Sequence, residues 1–183
     1  MNPDLTIHVV IENPAGSSEK WEVRADGNLV QESAGDGPIV IPYLPWPVNG
    51  GMIPRTLLSS ELGGDGEPLD VLVLGPSLER GSLIRATPIG LLQMFDRLER
   101  DDKILAVMPG TPFADVQDVA ELETRFPGVR EILASWYDNS RPGGAIEVQG
   151  YGSRAAAHQL IVEGVREFDA AERGNSIPVW ETR

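Results

Sequence analysis

The 183-residue chain has no cysteine. Disulfide frameworks, thiolate zinc sites, iron–sulfur clusters and cysteine nucleophiles are therefore excluded. Basic side chains are also scarce, with 15 Lys and Arg against 28 Asp and Glu, for a net charge of −13. Because nucleic-acid binding relies on cations that displace counterions from phosphates, we expect no nucleic-acid partner.

Long apolar runs are missing as well. No stretch approaches the ~18 apolar residues that a membrane-spanning helix needs, and the first residues do not pair a basic segment with an apolar one. We therefore expect a cytoplasmic protein without a membrane partner. At this length a hydrophobic core forms without metal or disulfide support, which favours a single domain over residues 1–183.

Hydrophobic periodicity predicts many short strands followed by two helices. Apolar residues alternate or run continuously in segments that we interpret as strands, at 6–12, 19–23, 29–30, 70–74, 83–94, 104–107 and 146–151. After residue 110 the apolar spacing changes to about 3.6 residues, as in a helix. This order predicts a β-rich α+β fold, a closed or nearly closed barrel with helices packed outside it.

Helix signals mark both predicted helices. Asp118 and Glu121 have the spacing of an N-terminal capping box. The buried stripe that follows is Val129, Ile132, Leu133, Trp136 and Tyr137. Ser153 is placed to cap the last helix, whose buried side carries Ala157, Leu160, Ile161, Val165 and Phe168.

Residues 36–55 are dense in glycine and proline. Proline lacks the backbone donor and glycine costs conformational entropy, so we predict neither a long helix nor a central strand in this run. Its Tyr43, Trp46 and aliphatic residues favour an ordered loop over a disordered one.

Two acidic clusters flank predicted strands. Asp65-Gly-Glu-Pro-Leu-Asp70 leads into the first of these strands, and residues 96–103 carry further carboxylates ahead of the strand at 104–107. Loops at strand ends can aim several oxygens at one point, and Mg²⁺ takes oxygen ligands from separate loops. Solvated acidic turns have the same composition, so the clusters alone leave both interpretations open.

The first cluster resembles the signature of soluble inorganic pyrophosphatases of family I, which is D-x-D-P-x-D followed by a V-L-V strand. Other segments resemble the same family and keep its order: Val10-Ile-Glu12-Asn-Pro14, Lys20-Trp-Glu22, Asn49-Gly-Gly51-Met-Ile-Pro54, Ile84-Arg-Ala-Thr-Pro-Ile-Gly90, Asp101-Asp-Lys103, Tyr137 and Glu147-Val-Gln-Gly150-Tyr151. The resemblance covers about residues 5–168 and leaves 169–183 as a C-terminal tail.

The resemblance implies a five-stranded OB-like closed barrel with flanking α-helices. It also implies Mg²⁺-dependent hydrolysis of pyrophosphate to two orthophosphates by a metal-activated water, with Mn²⁺ as an alternative metal. Pyrophosphate and divalent metal ions are then the expected partners. A homo-oligomer is expected, a hexamer as in many bacterial members.

Position within the family's motifs assigns the site residues. The implied metal ligands are Asp65, Asp70, Asp96, Asp101, Glu12 and Glu22. Catalytic positions fall on Glu67, Asp70, Lys103 and Tyr137. The implied phosphate contacts are Lys20, Lys103 and Tyr137. Arg141 is a further predicted substrate-binding residue, and Arg55 is a second candidate for an additional guanidinium.

Four positions depart from the family pattern and mark a diverged member. Glu67 stands where the family has an aspartate, and Glu32 or its neighbours stand where it has a phosphate-binding arginine. Gly50 replaces a tyrosine and Asp138 replaces a lysine. Two alternatives to pyrophosphate hydrolysis therefore stay open: hydrolysis of another phosphoanhydride or a phosphate ester, and a catalytically weak or silent metal-binding subunit.

Overall fold

The computed structural model describes residues 5–24, 26–35, 37–59, 63–97, 99–141 and 143–174. Within these ranges the strands are β1 Ile7–Asn13, β2 Trp21–Val23, β3 Leu29–Gln31, β4 Ser33–Ala34, β5 Gly37–Pro38, β6 Asn49–Met52, β7 Asp70–Leu74, β8 Leu83–Asp96, β9 Glu99–Arg100, β10 Lys103–Val107 and β11 Ile146–Ser153. The helices are α1 Ala120–Arg125, α2 Val129–Ser140 and α3 Arg154–Arg173. The prediction of a β-rich fold with flanking helices is confirmed.

The main sheet has the order β1–β6–β7–β10–β8–β11, and β1 also pairs with β8. β7 and β10 are parallel, with Ile104 opposite Val71, whereas the other pairings in this sheet are antiparallel. Because β7 and β10 run side by side in the same direction, their first residues, Asp70 and Lys103, lie at the same edge. The topology thus brings together the two acidic segments that the sequence separates by about 30 positions.

The prediction that residues 36–55 contain no central strand is wrong. β6 lies between β1 and β7 in the middle of the sheet. The prolines of the segment lie outside β6, four before it and Pro54 after it, so its ladder donors are intact. Gly51 is required here, because a Cβ at this position would lie 2.1 Å from the carbonyl oxygen of Val10.

Asn49 secures the start of β6 with its fully buried side chain. Its Oδ1 accepts hydrogen bonds from the backbone of Ala15 and Leu78, and its Nδ2 donates to the carbonyls of Val73 and Pro76. One amide side chain thereby satisfies backbone groups from three different segments, which is the requirement for burying polar groups.

Alternate residues of the strands enter two hydrophobic clusters. Leu72 and Leu74 of β7 pack in one cluster with α1 and α2, whereas Val71 and Val73 pack in the other with α3. This alternation is the period of a strand that is covered on both faces.

The helical region after residue 110 divides into α1 and α2 around Gly128, which has a φ of 88°. The predicted capping box is wrong, because the N-cap residue of α1 is Val119 and no side chain caps it. Asp118 accepts from the backbone of Ala120 at 3.0 Å, and Glu121 accepts from the backbone of Gln117. Four residues of the predicted stripe are buried or half-buried, but Ile132 is 59% exposed, so its assignment to the buried stripe is wrong. One residue of rotation separates it from Leu133, which takes the inward position.

The last helix, α3, packs against the loop that leads into β7. Ser153 caps it as predicted and accepts from the backbone of Ala156. A Cβ at Gly164 would lie 2.7 Å from Leu69, and the Gly164 carbonyl accepts from the backbone of Leu57 at 3.0 Å. Residues 169–173 of the predicted tail form the end of this helix, and residues 175–183 lie outside the described residues.

Candidate active site

A cavity of about 230 Å³ opens where β6, β7 and β10 meet the hairpin of β2 and β3. All the side chains that the sequence assigned to metal or substrate line it: Glu12, Lys20, Glu22, Asp65, Glu67, Asp70, Asp96, Asp101, Lys103, Tyr137 and Arg141. Among the described residues, nine carboxylates and four Lys or Arg side chains line this cavity. An excess of five negative charges therefore lies at this cavity, out of 13 in the whole chain.

The loop before β7 carries Asp65 and Glu67 in a turn held by its backbone. The Glu67 amide donates to Oδ1 of Asp65 at 2.9 Å, and Gly66 supplies a φ of 84° that non-glycine residues rarely adopt. Leu58 bonds this turn through both of its backbone groups. Its amide donates to the Glu67 carbonyl, and its carbonyl accepts from the Gly66 amide. Backbone hydrogen bonds thereby fix the position of this acidic turn.

Asp101 and Asp102 have different surroundings although they are adjacent. Asp101 lines the cavity, where its carboxylate bonds Lys103. Asp102 is buried outside the cavity lining and accepts from the backbone of Met94 at 3.1 Å and from Arg100 at 2.8 Å. Asp102 therefore anchors the turn between β8 and β10, and this anchor points its neighbour into the cavity.

Glu12 is the buried member of the cavity's carboxylates. Its Oε1 accepts from the backbone of Val23 at 2.7 Å, which ties β1 to β2. Burial, followed by the nearby Asp70 charge, raises the pKa of Glu12 to about 8. Asn13 closes the same junction, since its side chain exchanges two hydrogen bonds with the backbone of Trp21.

Four other cavity acids show the same physical effect. Burial, reinforced by Asp65, Asp70 and Glu22, raises the pKa of Glu67 to about 7. Burial likewise raises the pKa of Asp65, Glu22 and Asp101. Each of these carboxylates resists ionisation first because it is desolvated and then because its neighbours are also acidic, and a nearby divalent cation would offset both effects.

Lys103 lies between two of the predicted metal ligands. Its buried ammonium bonds both Asp70 and Asp101. Burial disfavours this charge, but the Asp101 and Asp70 carboxylates outweigh it and hold the pKa of Lys103 well above its usual value. The ring of Tyr137 stands edge-on to Trp136 at 5.0 Å, and burial raises the pKa of its hydroxyl.

Glu32, one of the departures from the family pattern, lies in the cavity and pairs with Lys20. Its two carboxylate oxygens lie 2.7 and 2.8 Å from the Lys20 ammonium. A lysine that the resemblance implies for phosphate binding is thus already neutralised by an acid on the adjoining strand connection. The Lys20–Glu32 pair is therefore the departure that changes the charge balance inside the cavity.

Two predictions about added or reversed charges are wrong in their placement. Arg55 lies away from the cavity, where it bonds Glu172 at 2.9 Å and covers the ring of Phe168. Asp138 is exposed on α2, and its Oδ1 accepts from the backbone of Val148. In the described structure neither of them is part of the cavity lining, so Asp138 does not reverse a charge there.

Arg141 does reach the cavity, where its guanidinium bonds Oδ2 of Asp96. The other oxygen of that carboxylate, Oδ1, is buried and has no hydrogen-bond partner within the described residues. A buried acceptor without a donor is costly unless another group, such as a cation, completes its environment.

Gly50 and Trp46 form a matched pair. A Cβ on Gly50 would lie 3.2 Å from the Trp46 ring, so this ring takes the space of a larger side chain at position 50. Trp46 packs on Trp136 with ring centroids 4.7 Å apart, and its Nε1 donates to the Glu19 carbonyl. The sequence analysis placed Trp46 in an ordered loop, and the structure shows that it belongs both to the hydrophobic core and to the cavity wall.

Arg80 was also missed. Its guanidinium lies 4.4 Å from the ring centroid of Trp21, bonds Glu19 at 2.8 Å and donates to the Glu12 carbonyl at 3.0 Å. It therefore braces the backbone of Glu12 from outside the cavity. No signal in the sequence distinguished this arginine from the polar turn that contains it.

The donor set fits divalent metal ions. It consists of carboxylate oxygens, which Mg²⁺ and Mn²⁺ accept, and it includes the unpartnered Oδ1 of Asp96. Within the described part of the chain no three Asp, Glu or His side chains already converge on one point. Two cations interrupt the acidic array, since Lys103 separates Asp70 from Asp101 and Arg141 covers Asp96.

Hard oxygen donors beside lysine and arginine define a candidate site for metal-dependent chemistry on phosphates. The family model described as inorganic pyrophosphatase matches residues 9–169. The chain therefore belongs to the inorganic pyrophosphatase family, and the resemblance stated from its motifs is confirmed. In the described ranges no helix combines the length and apolar character needed to cross a membrane.

Individual relatives agree with the family assignment. The inorganic pyrophosphatase of Saccharolobus solfataricus is 32% identical over 163 residues, which cover 87% of this chain and 90% of that relative. The crystal structure of the Thermus thermophilus inorganic pyrophosphatase has a TM-score of 0.78 at 26% identity, covering 92% of this chain and 94% of that one. A truncated vacuolar soluble pyrophosphatase of Trypanosoma cruzi, in complex with PPi, shares the fold with a TM-score of 0.87 at 17% identity, covering 94% and 72%.

Proposed function

We propose that this chain hydrolyses inorganic pyrophosphate to two orthophosphates with the help of divalent metal ions. The observation that carries the proposal is the single cavity in which carboxylates from β1, the β7 loop, β8 and the start of β10 surround buried and half-buried cations. Family membership supports the same substrate.

The proposed metal ligands are Asp65, Asp70, Asp96, Asp101, Glu12 and Glu22. When bound, Mg²⁺ supplies Lewis-acid chemistry, because it lowers the pKa of a water and neutralises charge on the leaving phosphate. The acids that resist ionisation in the metal-free cavity are the ones that gain most from such a cation.

The chain's own residues accept the proton and bind the phosphate groups. Glu67 accepts a proton from the water whose oxygen attacks one phosphorus, and the bond from that phosphorus to the bridging oxygen breaks. The raised pKa of Glu67, about 7, suits a group that takes up a proton near neutral pH. Lys20, Lys103, Tyr137 and Arg141 hold phosphate oxygens, so that charge on the departing orthophosphate meets fixed donors.

A second candidate function is hydrolysis of another phosphoanhydride or of a phosphate ester. The Lys20–Glu32 pair favours it, because Glu32 removes one cation from a site that would otherwise bind a small, highly charged substrate. A silent metal-binding subunit is the third reading, and it requires the same cavity without turnover.

A substrate panel separates these readings. Phosphate release is measured with pyrophosphate, tripolyphosphate, a nucleoside triphosphate and a phosphate monoester, each with Mg²⁺ and with Mn²⁺. The proposal expects the highest kcat/KM for pyrophosphate. A higher value for one of the other substrates would establish the second candidate, and no turnover of any of them would establish the third.

Finer properties follow from the same family assignment. We propose that β1, β6, β7, β10 and β8 form a five-stranded OB-like closed barrel, which the pairing of β1 with both β6 and β8 supports. A preference for Mg²⁺ over Mn²⁺, a cytoplasmic location and a homo-hexamer stay predictions. Native mass spectrometry tests the hexamer directly.

A further inference from the structure

Arg141 and Asp96 form an ion pair that differs from the other ion pairs of the cavity. A single nitrogen, Nη1 of Arg141, bonds Oδ2 of Asp96, while Oδ1 stays buried without a partner in the described structure. The Arg141 side chain is 38% exposed and that of Asp96 is 20% exposed. Within the described residues, one oxygen of the Asp96 carboxylate is thus bonded and the other is not. The guanidinium that bonds it is partly exposed to solvent.

Strand pairing fixes the backbone of Asp96, whereas Arg141 lies after α2 and outside the sheet. Asp96 ends β8, where it is paired with Ile146 on one side and with Glu99 on the other. Arg141 follows α2 in an extended conformation, and it belongs to neither hydrophobic cluster. A change in the direction of the Arg141 side chain therefore disturbs no packed core.

The other cavity cations have firmer partners. Lys103 is buried between two carboxylates, and Arg100 makes two contacts of 2.8 Å with Asp102, which lies outside the cavity lining. Lys20 pairs with both oxygens of Glu32, which is not a predicted metal ligand. Arg141 alone among these four combines a single bond, an exposed side chain and a predicted metal ligand as partner.

We infer that Arg141 is a counter-cation that Asp96 exchanges for a divalent metal ion, after which the released guanidinium binds a phosphate oxygen of the substrate. This inference rests on the proposed function, which makes Asp96 a metal ligand. A guanidinium does not deprotonate in proteins, so it yields to a second cation only by moving. The move places a planar donor fork where phosphate arrives, and that geometry suits bidentate phosphate binding.

Metal affinity is the readout that tests the exchange without turnover. Mn²⁺ is titrated calorimetrically into the metal-free full-length chain, into Arg141→Gln and into the control Arg55→Gln, whose ion pair with Glu172 lies outside the cavity. Loss of the competing guanidinium is expected to tighten Mn²⁺ binding about fivefold in Arg141→Gln. The control is expected to match the wild type.

In Arg141→Gln, phosphate affinity is expected to change in the opposite direction from Mn²⁺ affinity. In the Mn²⁺-loaded protein, inorganic phosphate is expected to bind about tenfold more weakly to Arg141→Gln than to the wild type, since a charge-assisted donor is lost. In an Asp96→Asn background, Arg141→Gln is expected to leave Mn²⁺ affinity unchanged. In the chain that keeps Asp96, Mn²⁺ binding by Arg141→Gln that equals or is weaker than that of the wild type would overturn the inference.

Arg141→Lys covers the case in which the glutamine variant does not fold. Thermal unfolding establishes whether each variant is folded. Lysine keeps the charge but loses the fork, so Mn²⁺ affinity is expected within about twofold of the wild type while phosphate binding still weakens. Phosphate binding equal to that of the wild type would overturn the inference.

The inference and the proposed function fail separately. If Arg141→Gln shows the expected changes in Mn²⁺ and phosphate affinity while the wild-type chain leaves pyrophosphate intact, the exchange is supported and hydrolysis is contradicted. A chain that hydrolyses pyrophosphate while Arg141→Gln leaves Mn²⁺ affinity unchanged supports hydrolysis and overturns the exchange.

Discussion

Two halves of the cavity are held in place by different means. In the carboxylate half, which consists of Asp65, Glu67, Asp70 and Asp101, backbone turns at Gly66 and at Asp102 position the acidic segments. The buried Lys103 in addition bridges Asp70 and Asp101. In the cation half, which consists of Lys20, Glu32 and Arg141, side chains hold one another through ion pairs. A backbone-fixed array keeps its geometry as its charge changes, whereas an ion-paired array is rearranged by any new ion.

The difference explains where this family member has diverged. Glu67 replaces the family's aspartate but keeps its turn and its place in the cavity. Glu32, by contrast, changes which charge faces the substrate, because it neutralises Lys20.

The largest expected effect comes from the carboxylate half. Asp70→Asn removes a proposed metal ligand and one partner of Lys103, and kcat/KM for pyrophosphate is expected to fall by about 10²–10³-fold, the scale of losing one electrostatic stabiliser. Phosphate release measures it. Asp138→Asn is the matched control, since Asp138 is exposed outside the cavity lining, and an equal loss in both variants would contradict the assignment.

Glu67 tests the proton-transfer role in the same half. Glu67→Gln cannot accept a proton, and kcat is expected to fall about 10²-fold, within the range for a general base. Glu67→Asp restores the family's residue and is expected to stay within about tenfold of the wild type, because it retains the carboxylate. A glutamine variant with unchanged kcat would assign the proton to another group.

In the cation half we expect a smaller effect, which improves substrate binding instead of reducing activity. Glu32→Gln frees the Lys20 ammonium, so KM for pyrophosphate is expected to fall about fivefold with little change in kcat. Lys20→Met is expected to raise KM, and the double variant is expected to resemble Lys20→Met. A raised KM in Glu32→Gln would show that this acid supports binding, which the account does not allow.

The smallest expected effect is on the stability of the metal-free protein. Glu12 has a pKa of about 8 in the folded chain against an ordinary value of 4.5, so the native state binds more protons than the unfolded state between these values. Stability therefore falls as pH rises, and Tm of the chelator-treated protein is expected to be lower at about pH 8.5 than at about pH 5.5. Scanning calorimetry with Glu12→Gln, which should flatten this dependence, checks it; a steeper profile in that variant would contradict the cause.

Prediction from sequence worked best where local pattern and backbone coincide. The signature at Asp65 to Asp70 precedes a continuous apolar strand, so strand ends and carboxylates could be placed together. β6 failed because glycine was read as a strand breaker, although Gly51 is the residue that allows the close approach of Val10. That reason exists only in the assembled sheet.

Long-range pairings were the other limit. Nothing near Glu32 in the sequence indicates Lys20 as its partner, and Arg141 lies 45 positions from Asp96. Arg55 and Asp138 show the converse, because an arginine and an acid near family motifs face away from the cavity. Such side-chain directions depend on helix rotation and loop path, which a single sequence defines poorly.

The most direct test of the account measures phosphate released from pyrophosphate by the wild-type chain as Mg²⁺ is raised from chelated to saturating levels. The account predicts no release with chelator, a rise with Mg²⁺ and a return to the blank on adding chelator again. Release at the blank rate at every Mg²⁺ concentration, or release that persists with chelator, would contradict it.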